Sequence, residues 1–155
     1  MRAIVDAKEF SQALDRVSKT VKKAVFPILE GVLVRIQDGR CTLTGTDFYT
    51  WLTASLPAEG DNLSFVFQRP KDAARACGHF EGRLVLETEE KSNGKHRWLQ
   101  LTMSCGPRCA QNTAFLPEDY PAMPKVEAKY TYTVNAAHLL ERVERVKYAL
   151  RKPDD

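Results

Sequence analysis

Apolar residues recur at two spacings along the chain, and the change of spacing marks the first predicted elements. Residues 2–6 (RAIVD) form a short strand-type run. From Ala7 the apolar positions follow the i, i+3, i+4, i+7 spacing of an amphipathic helix. These positions are Phe10, Ala13, Leu14, Val17 and Val21. Asp6 stands at the expected N-cap, and Glu9 follows it as in a capping box. The sequence therefore predicts a strand followed directly by a helix that reaches Val21.

The rest of the first 115 residues predicts three strands and then the same order again. Asp38-Gly39 is a hairpin signal because both residues tolerate positive φ, residues 49–56 supply a third strand, and residues 59–62 a turn. The second set comprises a strand at 63–67, a helix at 69–79 and strands at 82–89, 97–104 and 108–115. Short connections favour antiparallel pairing. We therefore predict an α+β fold of two pseudo-repeated strand-helix-three-strand units with antiparallel sheets.

The end of the chain repeats its beginning at an offset of 129 residues. Residues 134–136 (VNA) match 5–7 (VDA), and residues 143–146 (VERV) match 14–17 (LDRV). Any two amphipathic helices align to some degree, but the matched caps, charge signs and preceding β run favour a true repeat. Three prolines punctuate the segment before the second copy. We expect a first domain at residues 1–120, a linker at 121–129 and the truncated start of a second domain at 130–155.

Composition and charge restrict the function classes only moderately. The 155 residues are 43% apolar and 28% charged, as in an ordinary globular protein. No apolar run is long enough for a membrane span, and Asp6 interrupts any signal-peptide pattern, so a cytoplasmic protein is expected. The four cysteines are expected to be reduced thiols. A net charge of +3 does not identify a nucleic-acid partner, so the distribution of the charge has to be considered.

Basic residues are concentrated on the outer faces of both predicted helices. The outer arc of the first helix carries Lys8, Gln12, Arg16, Lys19 and Lys23, and the second helix carries Arg69, Lys71 and Arg75. Such faces suit contact with phosphates that is independent of base sequence. The alternative interpretation, that these side chains only solvate an exposed surface, is equally compatible with the helical wheel.

Three ordered motifs resemble one known family. Residues 26–29 (FPIL), the hairpin after them and residues 43–48 (LTGTDF) resemble the N-terminal domain of the bacterial DNA polymerase III β subunit, the sliding clamp. Residues 116–121 (LPEDYP) are similar to the family's end-of-domain signature. Residues 132–134 (YTV) with the following helix resemble the start of the second clamp domain. The resemblance covers essentially the whole chain but only about the first third of a family member.

This resemblance implies a DNA-clamp fold with two helices on one face, and a non-catalytic function. Family members form a ring of two subunits with three similar domains each, encircle duplex DNA and tether the replicative polymerase for processive replication. The resemblance places Lys23 at a DNA-facing position and makes Arg69 and Lys71 the basic start of the second helix. The helical wheel alone adds Arg16, Lys19 and Lys22. No catalytic residue, metal or cofactor is expected, because the chain would be an accessory subunit of the polymerase holoenzyme.

The resemblance also implies where partners bind. The homodimer interface is expected along the second helix and the last strand, at Lys71, Arg75, His79, Arg108, Gln111 and Thr113. The polymerase and the clamp loader would bind through domains that this chain lacks, in a cytoplasmic, nucleoid-associated protein without a membrane partner. Glu30-Gly31 and Tyr49 depart from the family pattern. The predicted edge strand is also more polar than a strong permanent interface, which leaves the strength of dimerisation open.

Two alternatives from other classes remain open at this point. Trp51, Trp98 and Tyr49 could form a stacking platform in a small module that binds single-stranded nucleic acid. Cys105 and Cys109 could form the centre of a thiol or metal enzyme. The three histidines have no metal-ligand spacing to this cysteine pair, and alternating strand positions more often place aromatic rings in a core.

Overall fold

The computed structural model describes residues 1–22, 26–125 and 127–149. The chain divides into two compact units, Met1–Met123 and Pro124–Asp155. In the described part, unit 1 contains nine strands: β1 (Arg2–Asp6), β2 (Val32–Gln37), β3 (Arg40–Thr46), β4 (Trp51–Pro57), β5 (Glu59–Gly60), β6 (Leu63–Phe67), β7 (Arg83–Ser92), β8 (Arg97–Cys105) and β9 (Arg108–Phe115). The described helices are α1 (Ala7–Ser18), α2 (Pro70–Cys77) and, in unit 2, α3 (Ala136–Val146). The α+β prediction is therefore confirmed.

The sheet of unit 1 is assembled from two halves that exchange their first strands. All neighbours are antiparallel, in the order β4-β3-β2-β6-β9-β8-β7-β1-β5. Strand β6 opens the second half but pairs with β2 of the first half, and β1 opens the first half but pairs with β7 of the second. Within the second half, β6 and β9 are joined by only two residue pairs. This arrangement confirms the prediction of two pseudo-repeated strand-helix-three-strand units.

One face of this sheet forms the core together with α1 and α2. Along β2, Val32, Val34 and Ile36 are buried while Arg35 and Gln37 are exposed, as period-two alternation requires. Helix α1 buries its apolar stripe against this face, and the Phe10 ring lies 6.3 Å from the Phe67 ring. Buried residues of both helices belong to the same core cluster as those of the strands.

The two helices of unit 1 lie side by side. The Ser11 hydroxyl on α1 donates a hydrogen bond of 3.0 Å to the Ala74 carbonyl on α2. Ala73, Ala74 and Cys77 keep the buried face of α2 small. The expectation that both helices occupy one face of the sheet is confirmed, so their polar sides share one surface.

Helix α1 begins as predicted but ends earlier. The Asp6 carboxylate accepts a 2.9 Å bond from the Glu9 N–H, which confirms the N-cap. The helix stops at Ser18, so its predicted extension to Val21 is wrong. The Ser18 and Thr20 hydroxyls donate to carbonyls of the last turn, a local bond that competes with helix continuation. Lys19 is therefore the C-cap residue of α1, and Lys22 lies beyond the helix.

Two smaller differences from the predicted elements concern residues 59–62 and the start of the third strand. The predicted turn at 59–62 contains β5, a two-residue strand that pairs with β1. The third strand begins at Trp51 rather than at residue 49, because the Asp47 carboxylate accepts N–H bonds from Tyr49 and Thr50 and forms a turn there. The predicted hairpin is confirmed: Asp38 and Gly39 both have positive φ, at 52° and 74°.

Unit 2 contains the predicted helix without the predicted strand. The side-chain oxygen Oδ1 of Asn135 caps α3 by accepting bonds from the Ala137 and His138 N–H groups, at the position that matches Asp6. Residues 132–134 form no strand in the described part of the chain. A β run needs a paired neighbour to satisfy its backbone groups, and the described residues of unit 2 supply none. The boundaries proposed for the second domain remain a prediction.

Candidate nucleic-acid interface

The exposed side of α1 carries the first group of predicted DNA-facing residues. Arg16 and Lys19 are both exposed, as is Lys8 in the first turn of the helix. The Lys19 ammonium lies 3.8 Å from the Asp15 carboxylate. An exposed i, i+4 pair of this length contributes only a few tenths of a kcal/mol, ~0.3–0.5. Arg16 and Lys19 therefore both remain available to an anionic partner.

Lys22 is engaged with the turn before β4. Its ammonium lies 3.0 Å from Asp47 Oδ2, although 73% of the Lys22 side chain is exposed. Asp47 Oδ1 accepts the backbone bonds from Tyr49 and Thr50, at 3.2 and 2.8 Å. The bond from Lys22, followed by the bond from Thr50, lowers the pKa of the Asp47 carboxyl below its ordinary value. Lys22 is thus an ion-paired residue in this structure rather than a freely solvated one.

A glycine in β3 allows the segment after α1 to approach the sheet. A Cβ at Gly45 would lie 2.7 Å from Thr20 Oγ1 and 2.8 Å from Val17 Cγ1. Both distances are too short for any other residue without a shift of α1. In the sequence, Gly45 and Asp47 stand out only as members of the motif at residues 43–48. No local signal links Asp47 to Lys22, because the pair forms across 25 positions of the chain.

The start of α2 carries the second group of predicted residues. Arg69 is the N-cap and adopts left-handed backbone angles, φ 49° and ψ 58°. Its carbonyl accepts the first bonds of the helix from Asp72 and Ala73. Lys71 is exposed one residue after Pro70, which occupies the first helical position. Few non-glycine residues adopt this left-handed conformation. It determines the direction in which the Arg69 side chain projects from the backbone.

The structure therefore brings five of the six predicted DNA-facing residues to exposed positions on or next to the two helices. They are Arg16, Lys19, Lys22, Arg69 and Lys71. The sixth, Lys23, lies outside the described residues. Whether these side chains contact DNA remains a prediction.

The residues predicted for a subunit interface lie on α2 and β9. Lys71, Arg75 and His79 are exposed on or just after α2. The Arg108 guanidinium donates to the His79 carbonyl and so connects the start of β9 to the end of α2. The remaining predicted interface residues, Gln111 and Thr113, are exposed along β9.

One edge of β9 is open over most of its length. Strand β9 pairs with β8 from Arg108 to Ala114. Its other edge pairs with β6 only at Ala114 and Phe115. In the described residues, the edge from 108 to 113 therefore has no neighbouring strand. Such an edge can accept a strand from another chain.

The end-of-domain motif at residues 116–121 has a structural role next to β2 and β3. The buried Tyr120 hydroxyl donates to the Thr44 carbonyl at 3.1 Å, with the Gly31 carbonyl at 3.4 Å. Burial raises the pKa of Tyr120 to about 12. Tyr120 thereby attaches the segment after β9 to β3 and to the residue before β2, at the position predicted as the end of the first domain.

The cysteines do not form a common site in the described structure. Cys105 faces the core and donates to the Glu81 carbonyl, whereas Cys109 is exposed on the other face of the β8–β9 hairpin. Burial raises the pKa of both Cys41 and Cys77 to about 12, which disfavours thiolate formation. In residues 1–22, 26–125 and 127–149, no three His, Cys, Asp or Glu side chains are grouped as metal ligands would be. The geometry does not support the thiol or metal alternative.

The aromatic residues of the stacking alternative are dispersed. Tyr49 is 95% exposed on the turn before β4, whereas Trp51 and Trp98 are half-buried. Trp51 lies in β4 and Trp98 in β8, and four strands of the sheet separate them. A continuous platform for successive bases requires neighbouring rings, which these three residues do not provide. None of the described helices is long and apolar enough to cross a membrane.

The solved structures that this chain resembles include bacterial sliding clamps. The DNA polymerase III β subunit of Thermotoga maritima matches with a TM-score of 0.75 and 24% identity, over 92% of this chain and 38% of that one. The C. crescentus β sliding clamp matches with a TM-score of 0.84 and 16% identity, over 99% and 40%. The Pseudomonas aeruginosa β subunit gives 0.82 and 15%, over 99% and 41%.

These matches establish what this chain shares with the class. The chain has the fold of the bacterial sliding clamp, the β subunit of DNA polymerase III, as its sequence motifs predicted. It spans about 40% of the length of the clamps that it matches. No protein-family model and no curated protein matches the sequence.

Proposed function

We propose that this chain is the N-terminal part of a non-catalytic sliding clamp whose α1 and α2 surface faces duplex DNA. The observation that carries the proposal is the placement of the two helices side by side on one face of a clamp-fold sheet, with Arg16, Lys19, Arg69 and Lys71 exposed. The complete protein would encircle the duplex and tether the replicative polymerase during processive replication. It would act as an accessory subunit in the cytoplasm, associated with the nucleoid.

The proposed attraction is electrostatic and independent of base sequence. Exposed lysine and arginine side chains contact phosphates, and each contact releases counterions from the duplex. The affinity therefore falls with salt, by about 0.9 logarithmic units of binding constant per unit of log salt for each phosphate contact. Weak contacts of this kind suit a protein that is retained by encirclement and has to move along the duplex.

The open edge of β9 supports the proposal of a homodimer in the complete protein. An incoming strand from a second subunit would satisfy the backbone groups of residues 108–113. Arg108 lies at the start of this edge and connects it to the end of α2 through the His79 carbonyl. Helix α2 also carries the exposed cations Lys71 and Arg75, so an acidic partner surface would fit best. The clamp loader and the polymerase would bind through other parts of the complete protein.

Charge reversal on the helix surface tests the DNA-facing assignment. The test variant is Arg16→Glu/Lys19→Glu. The matched control is Arg35→Glu/Arg40→Glu, with the same change of net charge at exposed residues on the opposite face of the sheet. Anisotropy of a labelled 20-base-pair duplex at about 50 mM salt measures the affinity.

The two variants are expected to differ clearly. The helix-face variant should bind about tenfold or more weakly, for every duplex sequence alike, with a smaller salt dependence. The control should lose much less. Equal losses in both variants, or unchanged binding by the helix-face variant, would assign DNA binding to another surface.

A further inference from the structure

The contact between Lys22 and Asp47 lies beside the proposed DNA-facing surface. Lys22 is three residues beyond Lys19, the C-cap of α1. Its ammonium projects from an exposed side chain, whereas only 15% of the Asp47 side chain is exposed. The Asp47 carboxylate is therefore the fixed member of the pair, and the lysine is the mobile one.

The two oxygens of Asp47 have separate partners. Oδ1 accepts the Tyr49 and Thr50 N–H groups, which fixes the carboxylate in the turn before β4. Oδ2 is directed at Lys22 at 3.0 Å. The turn thus needs one oxygen of Asp47, and the second oxygen presents a negative charge next to the basic surface.

The segment that carries Lys22 is itself held near Asp47. Thr20 donates to the Val17 carbonyl, and its hydroxyl lies close to Gly45, two residues before Asp47. Lys22 therefore lies close to Asp47 whenever α1 is packed on β3. A phosphate that approaches Lys22 has to compete with a carboxylate that is already in place.

We propose that Asp47 is an intramolecular competitor for duplex phosphates, which occupies the Lys22 ammonium and keeps the affinity of this surface low. This inference rests on the proposed function, since it concerns the same surface. A duplex phosphate binds Lys22 by replacing Asp47 Oδ2, and the lysine returns to Asp47 when the phosphate moves on. The Lys22 ammonium thus has two alternative partners, the Asp47 carboxylate and a duplex phosphate.

An isosteric substitution separates the two roles of Asp47. In Asp47→Asn the side-chain carbonyl oxygen can still accept the Tyr49 and Thr50 bonds, while the amide group offers Lys22 no negative partner. The matched control is Asp38→Asn, which changes the net charge equally at the far end of β3. Asp38 has positive φ, a conformation that asparagine readily adopts.

The measurement is duplex affinity as a function of salt for four proteins: the wild type, Asp47→Asn, Asp38→Asn and Lys22→Gln/Asp47→Asn. Asp47→Asn is expected to bind about three to ten times more tightly at 50 mM salt, with a salt dependence steeper by about one phosphate contact. Asp38→Asn should change little. The Lys22→Gln replacement should remove the gain that Asp47→Asn produces.

Each outcome separates this inference from the proposed function. If the wild type binds but Asp47→Asn and Asp38→Asn behave alike, the competitor role is wrong and the proposed function is unaffected. Weaker binding by Asp47→Asn would mean that Asp47 positions Lys22 for DNA instead. Binding that appears only in Asp47→Asn would support the inference. If none of the four proteins binds, both the inference and the proposed function are wrong.

Discussion

Helices α1 and α3 have related sequences and N-caps at matching positions, but the burial of their apolar residues differs. The apolar residues of α1 are buried against the sheet of unit 1, whereas Leu139, Leu140 and Val143 of α3 are exposed within the described structure. Both helices form where the periodic pattern and the cap predict them. The difference teaches that an amphipathic pattern specifies a helix and its apolar face, while burial of that face requires strands that only unit 1 contains among the described residues.

The largest expected difference concerns the matched residues Phe10 and Leu139. Phe10 is fully buried and contacts the Phe67 ring, whereas Leu139 is 53% exposed. Phe10→Ala should destabilise unit 1 by about 3–5 kcal/mol through the loss of apolar contacts and the resulting cavity. Leu139→Ala should change the unfolding free energy of unit 1 by less than about 0.5 kcal/mol.

Urea unfolding followed by tryptophan fluorescence reports on unit 1, because both tryptophans lie in it. Similar midpoints for Phe10→Ala and Leu139→Ala would contradict the contrast between the two helices. A large effect of Leu139→Ala would mean that α3 has a packing partner that contributes to the stability of unit 1.

A smaller difference is expected at the two N-caps. The Asp6 carboxylate and the Asn135 side-chain oxygen Oδ1 each accept N–H bonds from the first turn of their helix. Asp6→Ala should destabilise unit 1 by about 1 kcal/mol, since α1 is part of its core. Asn135→Ala should leave the urea midpoint of unit 1 unchanged and reduce only the local helicity of α3. Amide hydrogen exchange along both helices distinguishes the two results, and equal effects on global stability would contradict them.

The smallest expected effect concerns the Lys22–Asp47 contact, whose α3 counterpart at Arg151 lies outside the described residues. The lowered pKa of Asp47 means that its ionised form stabilises the folded state. This stabilisation is complete above the unfolded-state pKa, about 3.9, and is lost as the pH falls through the lower folded-state value. Asp47→Asn should therefore unfold at slightly lower urea than the wild type at pH 7, and the two midpoints should converge as the pH falls below the folded-state pKa of Asp47.

Urea midpoints of the two proteins between pH 7 and pH 2.5 test this pH dependence. A gap that persists at the lowest pH would indicate that the substitution disturbs the turn itself. Asp38→Asn is again a suitable control, because it removes a carboxylate from an exposed turn without a partner from α1.

Much of unit 1 could be predicted from local patterns. Strand alternation at residues 32–37, the Asp38-Gly39 turn and the Asp6 cap each depend on neighbouring residues, and each is present in the structure. The early end of α1 could not be predicted, because it involves Thr20 and the close approach of Gly45 from another strand. The β5 pairing with β1 has the same origin in a distant partner.

The candidate site was predictable in its composition but less so in its contacts. The helical wheel identified Arg16 and Lys19, and both are exposed beside α2. It also placed Lys22 among the DNA-facing residues, without any indication of an acidic partner. The partner of Lys22 comes from the turn after β3, and no periodicity in the sequence connects the two. Pairing across the fold is therefore the information that the local pattern lacked.

The exchange of first strands between the two halves of unit 1 has a consequence for its synthesis. Strand β1 is made first, but its main partner, β7, ends at Ser92. A growing chain on the ribosome therefore leaves β1 without its main partner until most of the unit has been translated. Pairing between such distant segments folds slowly, and exposed edges favour aggregation. Chaperones that shield nascent chains would thus have their greatest effect before β7 emerges.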